Sequence, residues 1–249
     1  MISYDLHIHS CLSPAADDGM TPKKIIDRAV ENGLDIIAIA DSNSARNITA
    51  AAELAEDRIA FVPGIEVESS EEVHVLCLFP DLASVNRMQR IVNANLWDKP
   101  NKPEKFGRQL VVDEDDVKIG EEKQLLRFPT KMTIEEIFYA ARQMGGAAVY
   151  AHLEQKAYSV LSILGTIPAR PEPKAVEYTN NEKGRKFFES RKDSIRKPAF
   201  FNSDAYRLED INTRENSADL EELGAQIRGE DGRVTARAFI DWLREQPGI

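Results

Sequence analysis

Apolar positions fall in short runs separated by polar stretches with helical spacing. Ile2–Leu6 predicts a strand that runs into His7-Ile8-His9. Thr21-Pro22 predicts a helix start, with Thr as N-cap and Pro at the first helical position. Ile25, Ile26, Ala29 and Val30 supply its apolar stripe, and Asn32-Gly33 its end. Ile36–Ala40 predicts a second strand and the Ala-rich Ser44–Glu56 a helix. Ile59–Val62 and Val73–Phe79 predict further strands, followed by a helix over Ala83–Leu96. The rhythm breaks from Trp97 to Thr130, where Pro100, Pro103, Gly107, Gly120 and the acidic run Asp113–Asp116 predict a polar insertion with a short hairpin. It resumes with a helix at Ile134–Met144, strands at Ala147–Ala151, Val176–Tyr178 and Ala199–Asn202, and a helix at Thr235–Arg244. Repeated βα units predict an α/β fold with a mostly parallel sheet or barrel and helices outside. Residues 1–249 read as one domain carrying an insertion at about 97–130. In such folds chemistry gathers at the C-terminal ends of the strands.

Composition narrows the function classes. The 249 residues are 42% hydrophobic and 30% charged, which is globular and not disordered composition. No apolar stretch is long enough to span a bilayer, and the first residues lack the pattern of a signal peptide, so the expectation is a cytoplasmic protein with no membrane partner. Cys11 and Cys77 make no disulfide framework. Lys plus Arg total 32 against 42 Asp plus Glu, a net charge of −10. That balance repels phosphate backbones and argues against bulk nucleic-acid binding, while leaving room for a local site for a small phosphorylated substrate.

The candidate chemistry sits where the strands end. All four histidines, His7, His9, His74 and His152, lie at or near strand candidates. His7 and His9 are two apart, so a strand points both imidazoles to one side, where they can grip one cation. His152 ends the run Ala147–Ala151, Asp204 follows Ala199–Asn202, and Glu66 follows Ile59–Val62 through a Pro-Gly turn. His74, near the start of its strand, fits this pattern least well. Any one of these is an ordinary loop or core residue; their coincidence at strand ends that converge in a parallel fold is what points to a metal site.

These residues carry a resemblance. Asp5-Leu6-His7-Ile8-His9-Ser10 resembles the first motif of the PHP (polymerase and histidinol phosphatase) superfamily. Asp41-Ser42-Asn43-Ser44, Gly64-Ile65-Glu66, His74-Val75-Leu76, Ala151-His152 and Ser203-Asp204-Ala205-Tyr206 resemble its later motifs, in order and over most of the chain. The resemblance, strongest to short stand-alone members, implies a distorted (β/α)7 barrel and metal-dependent phosphoesterase activity. It implies a first metal site of His7, His9, Glu66 and Asp204, and a second completed by His74 and His152, with Glu66 bridging. A third site in the family draws on a loop acid, here Asp17 or Asp18, and on two histidines, replaced here by Ser42 and Tyr206. The expectation is therefore about two divalent ions per chain, at a dinuclear centre. The nitrogen-rich set with carboxylates suits Zn, Mn or Fe.

The expected reaction is hydrolysis of a phosphomonoester, such as a nucleotide, by a hydroxide bridging the two ions, with Glu66 and Asp204 as catalytic residues. Arg46, Lys156, Arg207 and the Tyr206 hydroxyl are candidate phosphate contacts in place of the third ion. Asp5 is a candidate partner for a ring N–H of a ligand histidine, or equally a strand-end hydrogen bond. Ser42 and Tyr206 also admit a degenerate barrel that binds metal or a phosphorylated ligand without turnover. His-x-His in a barrel also resembles amidohydrolases, but those use a bridging lysine, which no strand end supplies here.

Overall fold

A computed structural model describes residues 1–246 apart from 196, 226, 230 and 231. In chain order the elements are β1 (Tyr4–Ile8), α1 (Pro22–Glu31), β2 (Ile36–Ile39), α2 (Ile48–Ala55), β3 (Ala60–Glu68), β4 (His74–Leu78), α3 (Leu82–Asn95), α4 (Pro103–Phe106), β5 (Leu110–Val112), β6 (Lys118–Glu121), α5 (Ile134–Gln143), β7 (Ala147–Tyr150), α6 (Val160–Leu164), β8 (Val176–Thr179), α7 (Glu182–Arg191), β9 (Ala199–Asn202) and α8 (Ala236–Glu245). The starts follow from capping chemistry. Thr21 accepts from the Lys24 N–H ahead of α1, with Pro22 at its first position. Thr133 and Glu136 form a reciprocal capping box on α5. The stretch 97–130 holds α4 and the antiparallel β5–β6 hairpin.

Seven strands form one sheet in the order β1-β2-β3-β4-β7-β8-β9. All neighbours pair in parallel except β4, which runs antiparallel to both β3 and β7. The sheet curls until its first and last strands meet. Ile8 bridges Ala205, and the His9 N–H donates to the Ala205 carbonyl at 2.9 Å. Below that contact, side chains replace the missing ladder. The Leu6 N–H donates to Asn202 Oδ1 at 2.8 Å and the Phe201 N–H to the Tyr4 hydroxyl at 3.0 Å. Asn212 donates to the carbonyls of both Tyr4 and Phe201. Asp5 accepts the backbone N–H groups of Ser203 and Asn212, each at 3.0 Å, so it serves the seam and no histidine ring. Buried backbone donors and acceptors left open at a seam would be costly, and these side chains satisfy them. The result is a near-closed mixed β-barrel with flanking helices, broadly of the distorted (β/α)7 type.

Two apolar layers hold it. Inside the barrel Tyr4, Leu6, Ile36, Val62, Leu76, Val149 and Phe200 pack together. Phe239, Ile240 and Leu243 of α8 join them and plug the N-terminal end of the strands. Outside, Ile37, Ile39, Ile65, Val75 and Tyr150 meet the apolar stripes of the helices, among them Ile25 and Ile26 of α1 and Ile137 of α5. Two local expectations are corrected. Glu66 does not follow a strand through a turn: β3 runs unbroken through Pro63 and Gly64 to Glu68. Gly64 makes this possible, since a Cβ there would lie 2.8 Å from the Ile39 carbonyl oxygen. The helix read from Ser44 begins only at Ile48. α7 has no counterpart in the sequence reading because its apolar positions are few: Gly184 sits against the Thr179 backbone, and Phe187 and Phe188 make its half-buried contacts with the outer layer.

Candidate metal centre

A bulge aims the first two histidines. Asp5 pairs with Ile37 and Ile8 with Ile39, so three residues of β1 span what two of β2 span. Tyr4 and Leu6 face the barrel interior, whereas Ile8 joins the outer layer. The extra residue therefore switches the inward parity, and His7 and His9 stand inward above Leu6. On β3 no switch occurs, and Val62, Gly64, Glu66 and Glu68 share the inner face. His74 begins β4, but β4 runs backwards, so its start lies at the same end of the barrel as the C-termini of its neighbours. That reversal removes the misfit His74 shows in the sequence. His152 and Asp204 follow β7 and β9 with φ of 31° and 53°. Left-handed backbone at such residues costs about 1–3 kcal/mol and persists where surroundings enforce it.

Five of these side chains form two clusters that share Glu66: His7, His9 and Glu66, and Glu66, His74 and His152. Glu66 Oε1 lies 2.8 Å from His74 Nδ1, 3.4 Å from His152 Nε2 and 3.5 Å from His7 Nε2. Its Oε2 lies 3.8 Å from His9 Nε2. Asp204 Oδ1 is 3.1 Å from His9 Nε2 and 3.8 Å from His7 Nε2, which brings it to the first cluster. His7 Nε2 and Glu66 Oε1 are buried without a hydrogen-bond partner. Orphaned lone pairs converging this way are what a divalent ion satisfies, so the residues present fit the metal.

The outer atoms of the rings are held too. His7 Nδ1 meets the Glu177 carboxylate at 2.9 and 3.1 Å. Glu177 is fully buried, and also accepts from the Asn202 amide at 2.9 Å and the His152 N–H at 3.3 Å. His9 Nδ1 meets the Ser13 hydroxyl at 2.8 Å, which donates to Asp41 Oδ1 at 2.6 Å. A ring whose Nδ1–H is engaged this way presents the Nε2 lone pair to the centre. His74 Nε2 faces Glu68 Oε2 at 3.8 Å. Sequence reading missed Glu177, which sits inside a short apolar strand with no motif around it. Glu68 is buried and lines the cavity.

The field is that of a cation trap. Burial opposes a charged His7, yet Glu177, Asp204 and Glu66 outweigh it and hold its pKa well above the usual imidazole value. Burial likewise opposes charge on His74, and Glu66 pushes it up to about 9. Burial also opposes the Glu66 carboxylate, but His74 and His7 hold it well below the usual range. Carboxylates that attract protons onto imidazoles attract a divalent ion to the same nitrogens.

A cavity of about 460 Å³ opens over the clusters, lined by Glu66, Glu68, His74, His152 and Asp204 together with Ser42, Arg127, Lys156, Tyr158 and Tyr206. Tyr206 stacks on His9 with ring centroids 4.2 Å apart, and Tyr158 on His74 at 4.6 Å. Burial pushes the Tyr206 phenol well above its ordinary pKa, so it keeps its proton. The Ser42 hydroxyl reaches Glu66 Oε2 at 3.5 Å. The other expected contacts lie elsewhere. Asp17 accepts from the Gly19 N–H and Asp18 pairs with Arg108, both acids exposed and outside the cavity lining. Arg46 pairs with Glu122 at 3.2 Å, and Arg207 is exposed beyond the lining.

Comparison with known proteins bears on the fold. No family model matches the chain. The 5'-3' exoribonuclease Rnm of Salmonella typhimurium is 33% identical over 88 residues, which is 33% of this chain and 29% of that protein. The lesion-specific endonuclease Q of Pyrococcus furiosus superposes with a TM-score of 0.56 at 21% identity, over 83% of this chain and 49% of its own. This chain thus spans about half the length of that nuclease. A Bifidobacterium adolescentis structure described as a metal-dependent phosphoesterase gives 0.54 at 18% identity, over 89% and 98% of the two chains. An amidohydrolase from Chromobacterium violaceum, with bound sulfate and no metal, gives 0.54 at 20%, over 90% and 96%. At 18–21% identity these solved structures show a shared fold, on which this chain carries its two His/Glu clusters.

Proposed function

We propose that this protein is a metal-dependent phosphoesterase with a dinuclear centre, acting on the phosphomonoester of a nucleotide or other small phosphorylated molecule. The observation that carries this reading is the single carboxylate, Glu66, shared by two histidine clusters at one cavity. His7, His9, Glu66 and Asp204 would hold one ion, and Glu66, His74 and His152 the other. Zn, Mn or Fe suits this donor set. Ions bound there supply Lewis-acid polarisation of water and of phosphoryl oxygens.

The chain's own residues do the rest. Glu177 and the Ser13–Asp41 pair fix the ring orientations of His7 and His9. Asp204 is the carboxylate of the cluster most open to the cavity, with 18% side-chain exposure against 2% for Glu66. Its Oδ atoms receive the proton of the attacking water. The Tyr206 hydroxyl, kept protonated, donates to a phosphoryl oxygen. A cavity of about 460 Å³ is in the range of small-molecule sites. The partial likeness to an exoribonuclease supports a related substrate, the terminal nucleotide of a short oligonucleotide.

Elemental analysis of protein purified without chelator tests the centre. About two transition-metal ions per chain are expected. They should fall to about one in His152→Ala and be largely lost in Glu66→Ala. No metal after reconstitution overturns the reading and favours a barrel that binds ligand without catalysis.

A further inference from the structure

We infer that Arg127 is the anion-binding residue of this site, placing the terminal phosphoryl group of the substrate over the metal clusters. The inference rests on the phosphoesterase reading and assigns its recognition of charge. The chain carries 42 acidic against 32 basic side chains, so holding an anion here calls for a local positive charge. Arg127 has no ion pair or hydrogen bond among the described residues, and it lines the same cavity as Glu66, His74, His152 and Asp204. Lys156, from the loop after β7, lines that cavity with no ion pair either. Tyr206, which stacks on His9, lines that cavity too. The two donors therefore open onto one space.

The backbone around Arg127 is built to hold it there. Asn43 is fully buried, and its amide donates to the carbonyls on either side, Leu126 at 2.8 Å and Phe128 at 3.0 Å. The Asn43 Oδ1 accepts from the Glu68 N–H at 3.0 Å, and Thr130 donates to the Glu68 carbonyl from both its N–H and its hydroxyl at 2.9 Å. The segment bearing Arg127 is thus tied to β3, the strand of Glu66. A guanidinium so placed matches two phosphoryl oxygens at once, which a lysine cannot do. A neutral amide carbonyl would gain less from it than an anionic phosphoryl group, so Arg127 favours a phosphoester over a neutral C–N substrate.

Calorimetric titration of the metal-loaded protein with inorganic phosphate tests this. Arg127→Ala is expected to raise the phosphate Kd about 10- to 100-fold, with metal content unchanged. Arg127→Lys should fall between. Arg90→Ala, which removes an equal charge from the exposed face of α3, should bind as the parent does. Phosphate binding unaltered in Arg127→Ala, or weakened equally in Arg90→Ala, overturns the inference and leaves the metal centre standing. A parent protein that holds its metals and binds no phosphate overturns the phosphoesterase reading and this inference with it.

Discussion

Glu177 shows what one buried carboxylate does at the residue scale. It touches the His7 ring, the His152 backbone and the Asn202 amide, and so ties three strand ends to one group. Glu177→Gln keeps an oxygen for the His7 N–H but loses the charge that holds the ring. Metal affinity should fall about 10- to 100-fold, measured by competition with a chelator, while the fold persists. Unchanged affinity would mean that His7 is oriented by packing alone. The ligand-type residues themselves were legible, because their chemistry is uncommon and each lies near a strand end. Glu177 and Arg127 were not. A glutamate in a four-residue strand and an arginine in a polar stretch carry no local signal, and only the closed barrel brings them to the centre.

At the scale of elements, the bulge in β1 and the reversal of β4 decide the geometry. Neither follows from hydrophobic periodicity. A one-residue slip leaves the apolar pattern of β1 intact, and a strand reads alike in either direction. Helix starts were more legible, since their caps are local. Asp81 caps α3, accepting from the Ser84 N–H at 2.8 Å, and pairs with Arg237 of α8 at 2.7 Å. Burial works against its charge, but those partners outweigh it and hold the carboxyl below its ordinary 3.8. A lowered acid stabilises the fold when ionised, so this contribution is present above 3.8 and fades as pH falls through the folded value. Asp81→Ala should cost about 1 kcal/mol near neutral pH. In urea unfolding the difference should shrink once the medium is acid enough to protonate the parent; a constant difference would assign the effect to packing.

For the whole molecule, the apolar pattern pointed to a mostly parallel sheet or barrel because strands buried on both faces leave near-continuous apolar runs, and the choice of a barrel came from the motif resemblance. It could not foretell how the ring closes, since that contact is made by polar side chains. The closure predicts that the metal centre forms only in the closed barrel. A chain ending at residue 198 keeps His7, His9, Glu66, His74 and His152 but lacks β9 and the plug of α8. It should show neither cooperative thermal unfolding nor stoichiometric metal. Native-like melting of that fragment would mean that the inner layer survives without Phe200 and Phe239.

The seam also sets a timetable. Ser203 donates to Asp5 across 198 positions of sequence. At roughly 5–20 residues per second, a ribosome delivers the partners of β1 about 10–40 s after β1 itself. The first strand, with two of the four histidines already exposed, waits that long with one edge unsatisfied. A chaperone that holds this strand during synthesis would cover the edge until its partners arrive.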